Sequence, residues 1–226
     1  MKLVLASRNP HKAREYAALL EGVELVTLPD EVALPPETGA TFEANALPKA
    51  RAAARATGQV AFADDSGIEA AALGGAPGVR SARFAGEGAS DDDNLAKLIA
   101  EAPPGSALAY VCVIALVDPV AGEERTFEGR CTGTMAPAPR GTGGFGYDPV
   151  FVPDDGDDGR TMAELTQAEK DAISHRGRAA RALLEHLRAA RVGGAQGARR
   201  GRPAPGRRLR RPRAARQRCR SPRTRR

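Results

Sequence analysis

The sequence predicts an α/β fold, and three observations predict it. A short apolar run at Lys2–Ala6 gives way at once to a helix start at Asn9-Pro10, with apolar positions following at Ala13, Leu19 and Leu20. A second apolar run, VAFADDSG from Val60 to Gly67, comes directly after a stretch with helical apolar spacing. Two long strand-like segments, Leu108–Val117 and Arg125–Thr134, are joined across the turn PVAG. Strand and helix periods therefore alternate along the first half of the chain, and a hairpin follows them.

The 226 residues are enough for one substantial core or two small lobes, and 42% hydrophobic with 27% charged residues is ordinary for a globular chain. No run reaches the roughly 18 to 20 apolar residues of a membrane span, and MKLVLASRNP turns polar too early for a secretory signal, so a cytoplasmic location is expected. Cys112, Cys131 and Cys219 form no CxxC or Cys/His cluster, which argues against a zinc site or a disulfide framework. The net charge of +6 hides two opposite parts. Residues 191–226 hold 15 of the 34 basic side chains and no acid; the remaining 19, set against 28 acids, give residues 1–190 a net charge of −9. The body is acidic, so the overall basicity is no argument that it binds nucleic acid.

In order along the chain, Asn9 and Pro10 supply an N-cap and a first-turn proline, and SRNPHK has the outline of an anion site: free N–H groups, the positive end of a helix dipole, and Lys12. It is no Walker loop, because GK[ST] is absent. A second strand is expected around Val23–Leu28, then a Pro-rich connection. Thr41 is the expected N-cap of a helix with an apolar face at Phe42, Ala46, Ala50 and Ala53 and a stop at Gly58; Glu37 precedes it, and Asn45 and Lys49 share one face four residues apart. Pro48 removes a backbone hydrogen bond, a cost of about 3 kcal/mol, and predicts a kink near Asn45 or a start later than Thr41.

VAFADDSG is expected to end as a strand where its two carboxylates begin, turning at Asp65-Ser66-Gly67. Strand alternation sends Asp64 and Asp65 opposite ways, and such a pair either holds a divalent cation or caps a turn. GGAPGVRSARFAG reads as a glycine-rich loop, and Ser90 with Asp91, Asp92 and Asp93 opens a helix that Pro103-Pro104-Gly105 closes. In GTGGFGYDPVF the glycines leave Phe145 or Tyr147 open to a flat partner, and stacking a base on such a ring is worth about 1 to 3 kcal/mol. Thr166 and Glu169 fit a capping box, Ser174 can cap the final helix, and Lys170, His175 and Arg176 cluster at its start; His186 reads as solvated. Residues 191–226, rich in Arg, Pro and Gly, have nothing to bury and are expected to be disordered, either a basic arm for nucleic acid or an extension without function.

An anion turn, a carboxylate ahead of a helix bearing Asn and Lys, an acid pair, an open aromatic and a cationic cluster amount together to a nucleotide polyphosphate site. In this order and spacing they closely resemble the inosine triphosphate pyrophosphatase family over about residues 1–190. The resemblance implies an elongated mixed central β-sheet flanked by helices, two lobes with the active site in the cleft between them, and a homodimer. It also implies Mg²⁺-dependent hydrolysis of aberrant purine nucleoside triphosphates (ITP, dITP, XTP) to the monophosphate and pyrophosphate. By motif, Glu37 and Asp65 would hold Mg²⁺, and Asp65 would take the proton of the attacking water. Substrate contacts would come from Ser7, Arg8, Asn9, Pro10, His11, Lys12, Asn45, Lys49 and Ser66, with Ser7, Asn9, Lys12, Lys49 and Ser66 on the phosphates. Phe145 would stack the base, and Gly146, Tyr147, Asp148, Lys170, His175 and Arg176 would line the base and sugar pocket. Arg80 stands where the family typically has an aromatic. A pyrophosphatase for other modified nucleotides, and nucleic-acid binding through the basic tail, are the alternatives.

Overall fold

The computed structural model describes residues 1–156 and 158–200, without the side chains of 191–200. Six strands form one sheet in the order β2-β1-β3-β4-β5-β6, with β1 at Lys2–Leu5, β2 at Glu24–Thr27, β3 at Ala61–Ala70, β4 at Ala107–Asp118, β5 at Glu123–Met135 and β6 at Phe151–Pro153. The first three strands are parallel and the other pairings antiparallel, so the sheet is mixed. Five α-helices flank it: α1 Pro10–Leu19, α2 Phe42–Thr57, α3 Asp91–Glu101, α4 Gln167–Ile173 and α5 His175–Arg200. Met1–Arg188 form one compact unit.

β1 is where the chain changes direction across the sheet. Through α1 it reaches β2 on one side of β1, and through α2 it returns to β3 on the other. Right-handed crossovers made in opposite directions place their helices on opposite faces. Tyr16 and Leu20 of α1 accordingly pack with Leu3, Leu5, Phe62, Ile114 and Leu183 on one face, while Ala46, Ala50 and Ala53 of α2 pack with Val4, Ala61, Ala63 and Ala115 on the other. Ligands in such sheets bind beyond the carboxyl ends of the strands at this switch point. A separate core of Ile68, Leu98, Tyr110, Val150, Phe151 and Met162 fills the far end of the sheet.

The caps behave as their sequences predict. The Asn9 side chain accepts from the N–H groups of His11 and Lys12, and Thr41 accepts from Ala44. Gly58 ends α2 with φ +65°, a conformation glycine adopts without strain. Ser90 with Asp93 and Thr166 with Glu169 form capping boxes, and the Ser174 hydroxyl accepts from Gly177 N–H at 3.0 Å.

Four expectations are corrected. β3 does not end at its carboxylates but runs through Asp64, Asp65, Ser66 and Gly67, because β4 pairs with it without interruption from Ala61↔Val117 to Ala70↔Leu108. α2 does not start late: it begins directly after Thr41 and includes Pro48, since both of its ends are capped and its alanine face is buried. The 74–86 segment is not a plain loop: it contains a 3₁₀ helix at Gly78–Arg83, which leaves Arg80 exposed. His186 is half-buried, its ring 5.5 Å from Phe127 and its Nε2 3.6 Å from Glu123. The Arg-rich segment 201–226 lies outside the described residues, and 191–200 are described only as backbone of α5. Among the described residues no helix is long and apolar enough to cross a membrane.

Candidate active site

β1 stops at Leu5 while β3 continues, so the turn Ser7–Lys12 sits beside the uncovered stretch of β3 that carries Asp64, Asp65 and Ser66. A cavity of about 380 Å³ opens there. Its wall takes Ser7, Arg8, Asn9, His11 and Lys12 from the turn, Glu37 and Lys49 from the α2 side, Asp65 and Ser66 from β3, and Phe145, Gly146, Tyr147, Asp148, Lys170, His175 and Arg176 from the far end. Of the sequence-predicted residues, Pro10 and Asn45 do not line it. Pro10 is the first residue of α1, and Asn45, only 2% exposed, is a support. Its Nδ2 donates to Asp65 Oδ2 at 2.8 Å while its Oδ1 accepts from Gly39 N–H at 2.7 Å. Arg8 reaches the wall, but its guanidinium donates to the carbonyls of Leu28, Pro29 and Val32, bracing the connection after β2.

One end of the cavity is cationic with a carboxylate pair. Lys12 and Lys49 converge on β3: Lys12 Nζ lies 3.0 Å from Asp64 Oδ1, and Lys49 Nζ donates to the Asp64 carbonyl at 2.7 Å and pairs with Glu37. Burial raises the Asp65 carboxyl above the usual range; the bond from Asn45 opposes this, and the negative charge of Glu37 adds to it. Two carboxylates offering hard oxygen donors on one wall fit a divalent cation whose other ligands come from outside the protein. Among the described residues no group of three or more His, Cys, Asp or Glu forms a closed metal cage.

The other end is aromatic and polar. Phe145 is half-buried, with the His11 ring 5.3 Å away, Lys170 Nζ 5.1 Å from its centroid and the Arg176 guanidinium 5.9 Å from it. Tyr147 is not the open ring: it is buried, and its hydroxyl donates to the Ser81 carbonyl at 2.7 Å. Asp148 organises this end, accepting from Phe145 N–H at 3.0 Å, Lys170 Nζ at 2.6 Å and the Tyr110 hydroxyl at 3.1 Å. Gly144 lies so close that a Cβ there would come 2.0 Å from Asp148 Oδ2. The His175 ring stacks on Tyr110 at 4.7 Å, and its buried Nδ1 has no hydrogen-bond partner. Burial, with Arg176 and Lys170 nearby, holds His175 well below its ordinary pKa and therefore neutral. Arg176 donates to Ser66 Oγ at 2.9 Å and pairs with Glu15, while its Nε, 3.5 Å from Asp64 Oδ2, is buried without a hydrogen bond.

Two contributors escape the sequence motifs, and a third, Asp64, belongs to VAFADDSG without reaching the cavity. Glu15 pairs with both Lys170 and Arg176, and its spacing of three from Lys12 on α1 was the available signal. Tyr110 supports His175 and Asp148 from a strand that reads as core. Asp64 is 1% exposed and absent from the cavity wall. Burial alone would raise its carboxyl, but Lys12, Arg176 and Lys49 outweigh it and hold the group well below the usual carboxylate range.

The model of the Ham1 family matches residues 3–186. The chain is 49% identical over 194 residues to the dITP/XTP pyrophosphatase of Geobacter sulfurreducens, covering 82% of this chain and 96% of that one. It is 50% identical over 203 residues to the dITP/XTP pyrophosphatase of Mycobacterium tuberculosis, covering 85% and 98%. A solved HAM1 protein from Coxiella burnetii superposes with a TM-score of 0.75 at 41% identity, covering 84% of this chain and 99% of its own. The Staphylococcus aureus Ham1 protein superposes with a TM-score of 0.73 at 36% identity, over 84% and 100%.

Proposed function

The chain belongs to the Ham1 family, and from that premise we propose that it hydrolyses the aberrant purine nucleoside triphosphates ITP, dITP and XTP to the monophosphate and pyrophosphate. The observation that carries the reading is a single cavity with Lys12, Lys49, Glu37 and Asp65 at one end and Phe145, Asp148, His175 and Arg176 at the other. A nucleotide has the matching polarity, a polyanion at one end and a flat polar ring at the other.

In this reading the triphosphate lies against the Ser7–Lys12 turn, where the dipole of α1 and the ammonium groups of Lys12 and Lys49 meet negative charge. Glu37 and Asp65 are the residues that would hold Mg²⁺. Bound there with phosphate oxygens, the ion would supply charge neutralisation of the phosphates. Asp65 takes the proton of the attacking water, and Asn45 holds its carboxylate in one orientation. The lysines offset charge developing on the pyrophosphate as it leaves.

At the other end the base stacks on Phe145. Hypoxanthine and xanthine present an oxygen at position 6 where adenine presents an amine, so donors aimed at it from Arg176, His175 or the 145–148 backbone are left unpaired by adenine. Sites built on such bonds discriminate by up to roughly 10⁴ to 10⁵. The family resemblance extends the proposal to a homodimer, for which light scattering of the purified chain should give twice the chain mass.

The deciding experiment follows product release from ITP, XTP, ATP and GTP in Mg²⁺. Pyrophosphate from the first two, reduced about 10² to 10⁴-fold in Asp65→Asn, is the expected result. Orthophosphate as the product, or equal turnover of ATP, overturns the reading.

A further inference from the structure

Asp64 and Asp65 are neighbours on β3 and face opposite sides of the sheet. Asp65 faces the cavity, with Asn45 behind it. Asp64 faces the α1 and α5 side, is closed off from solvent and does not line the cavity. Its two oxygens are divided between the two ends of the site: Oδ1 lies 3.0 Å from Lys12 Nζ, and Oδ2 lies 3.5 Å from Arg176 Nε. Lys12 and Arg176 are both donor-only cations that cannot bond each other, and this carboxylate is the element they share. The Arg176 contact is not closed to a hydrogen bond at Nε.

We propose that Asp64 is a positioning residue that couples the phosphate end of the site to the base end through Lys12 and Arg176. The inference rests on the reading in which phosphate meets Lys12 and the base meets Arg176. A buried carboxylate shared by two cations responds to whatever either cation does. When phosphate draws on the Lys12 ammonium, Asp64 bears more strongly on Arg176 and resets the guanidinium beside Phe145. A change of affinity transmitted in one direction is transmitted equally in the other. The triphosphate and the correct base are thereby recognised jointly.

The test splits the substrate into its halves and reads binding by calorimetry on the full chain in Mg²⁺ buffer, with inosine for the base end and tripolyphosphate for the phosphate end. Saturating tripolyphosphate is expected to change the wild-type affinity for inosine by about fivefold or more. Asp64→Asn should bring that factor to one while each half still binds. Lys12→Met should weaken inosine about threefold although Lys12 does not reach the base. If Asp64→Asn fails to fold, the Lys12→Met measurement decides alone, because Lys12 lies on the cavity wall. Inosine affinity indifferent to tripolyphosphate, or to Lys12→Met, overturns the coupling. Wild-type chain that binds neither half overturns the nucleotide reading itself, and the coupling with it.

Discussion

His175 lies 7% exposed against the Tyr110 ring, and burial with two neighbouring cations keeps its imidazole uncharged. Unfolding returns it to an ordinary pKa near 6.5, so the unfolded chain binds the extra proton as pH falls. The stability this group contributes is full above about pH 6.5 and is lost as pH falls toward its depressed folded value, at up to about 1.4 kcal/mol per pH unit. Thermal melts from pH 7.5 to 5 should fall more steeply for wild type than for His175→Phe, which keeps the stack and cannot titrate; parallel curves would remove His175 as the cause. Arg176→Ala should reduce turnover of ITP about 10²-fold or more and narrow its preference over ATP, whereas Lys12→Ala should leave that preference closer to wild type. Measured kcat/KM ratios for the two nucleotides separate the cases, and unchanged preference in Arg176→Ala would count against its role on the base. At this scale the sequence disclosed the residues that cap helices or sit beside glycine, such as Asn9 and Phe145. Strand alternation could say that Asp64 and Asp65 diverge, but not which one faces the cavity, since that depends on where α2 and α5 pack.

At the scale of elements, helix ends were legible because capping is local: Asn9, Thr41, Ser90 and Thr166 each satisfy N–H groups two or three residues on. The continuity of β3 was not, because a pair of acids inside a strand is tolerable only when partners far along the chain neutralise them. Here Lys12 and Arg176 offset the charge of Asp64 and Asn45 donates a hydrogen bond to Asp65, from three different helices. The approach of α5 to the sheet was equally hidden. A Cβ on Gly129 of β5 would meet the His175 carbonyl at 2.0 Å and Ala179 N at 2.6 Å, so only glycine lets the start of α5 come this near. Gly129→Ala should cost about 1 to 3 kcal/mol in denaturant unfolding and should also lower activity, because the residues it displaces begin with His175 and Arg176. Pro48→Ala restores a backbone donor inside α2 and should raise the melting temperature.

Across the whole molecule, every residue assigned to the site lies before Arg188, and the net charge of −9 belongs to this part alone. A chain of residues 1–190 should therefore retain the turnover of ITP shown by the full chain, compared under the same Mg²⁺ and salt; loss of turnover would give the Arg-rich segment a role in the reaction. The family resemblance supplied the mixed sheet and the cleft, which local periodicity could not, since sheet order is set by crossovers and not by any one segment. Neighbouring carboxylates on β3 point to opposite faces, and the pairing Asp64↔Ile114, Asp65↔Val113 decides which carboxylate meets which face. A slip of one residue would exchange them, putting the ion-paired carboxylate in the cavity and the cavity-facing one among the helices. The reading frame of the β-ladder thus encodes the assignment of chemical roles, and a single-residue deletion between Ala61 and Asp64 should silence the enzyme even where every active-site side chain remains in the chain.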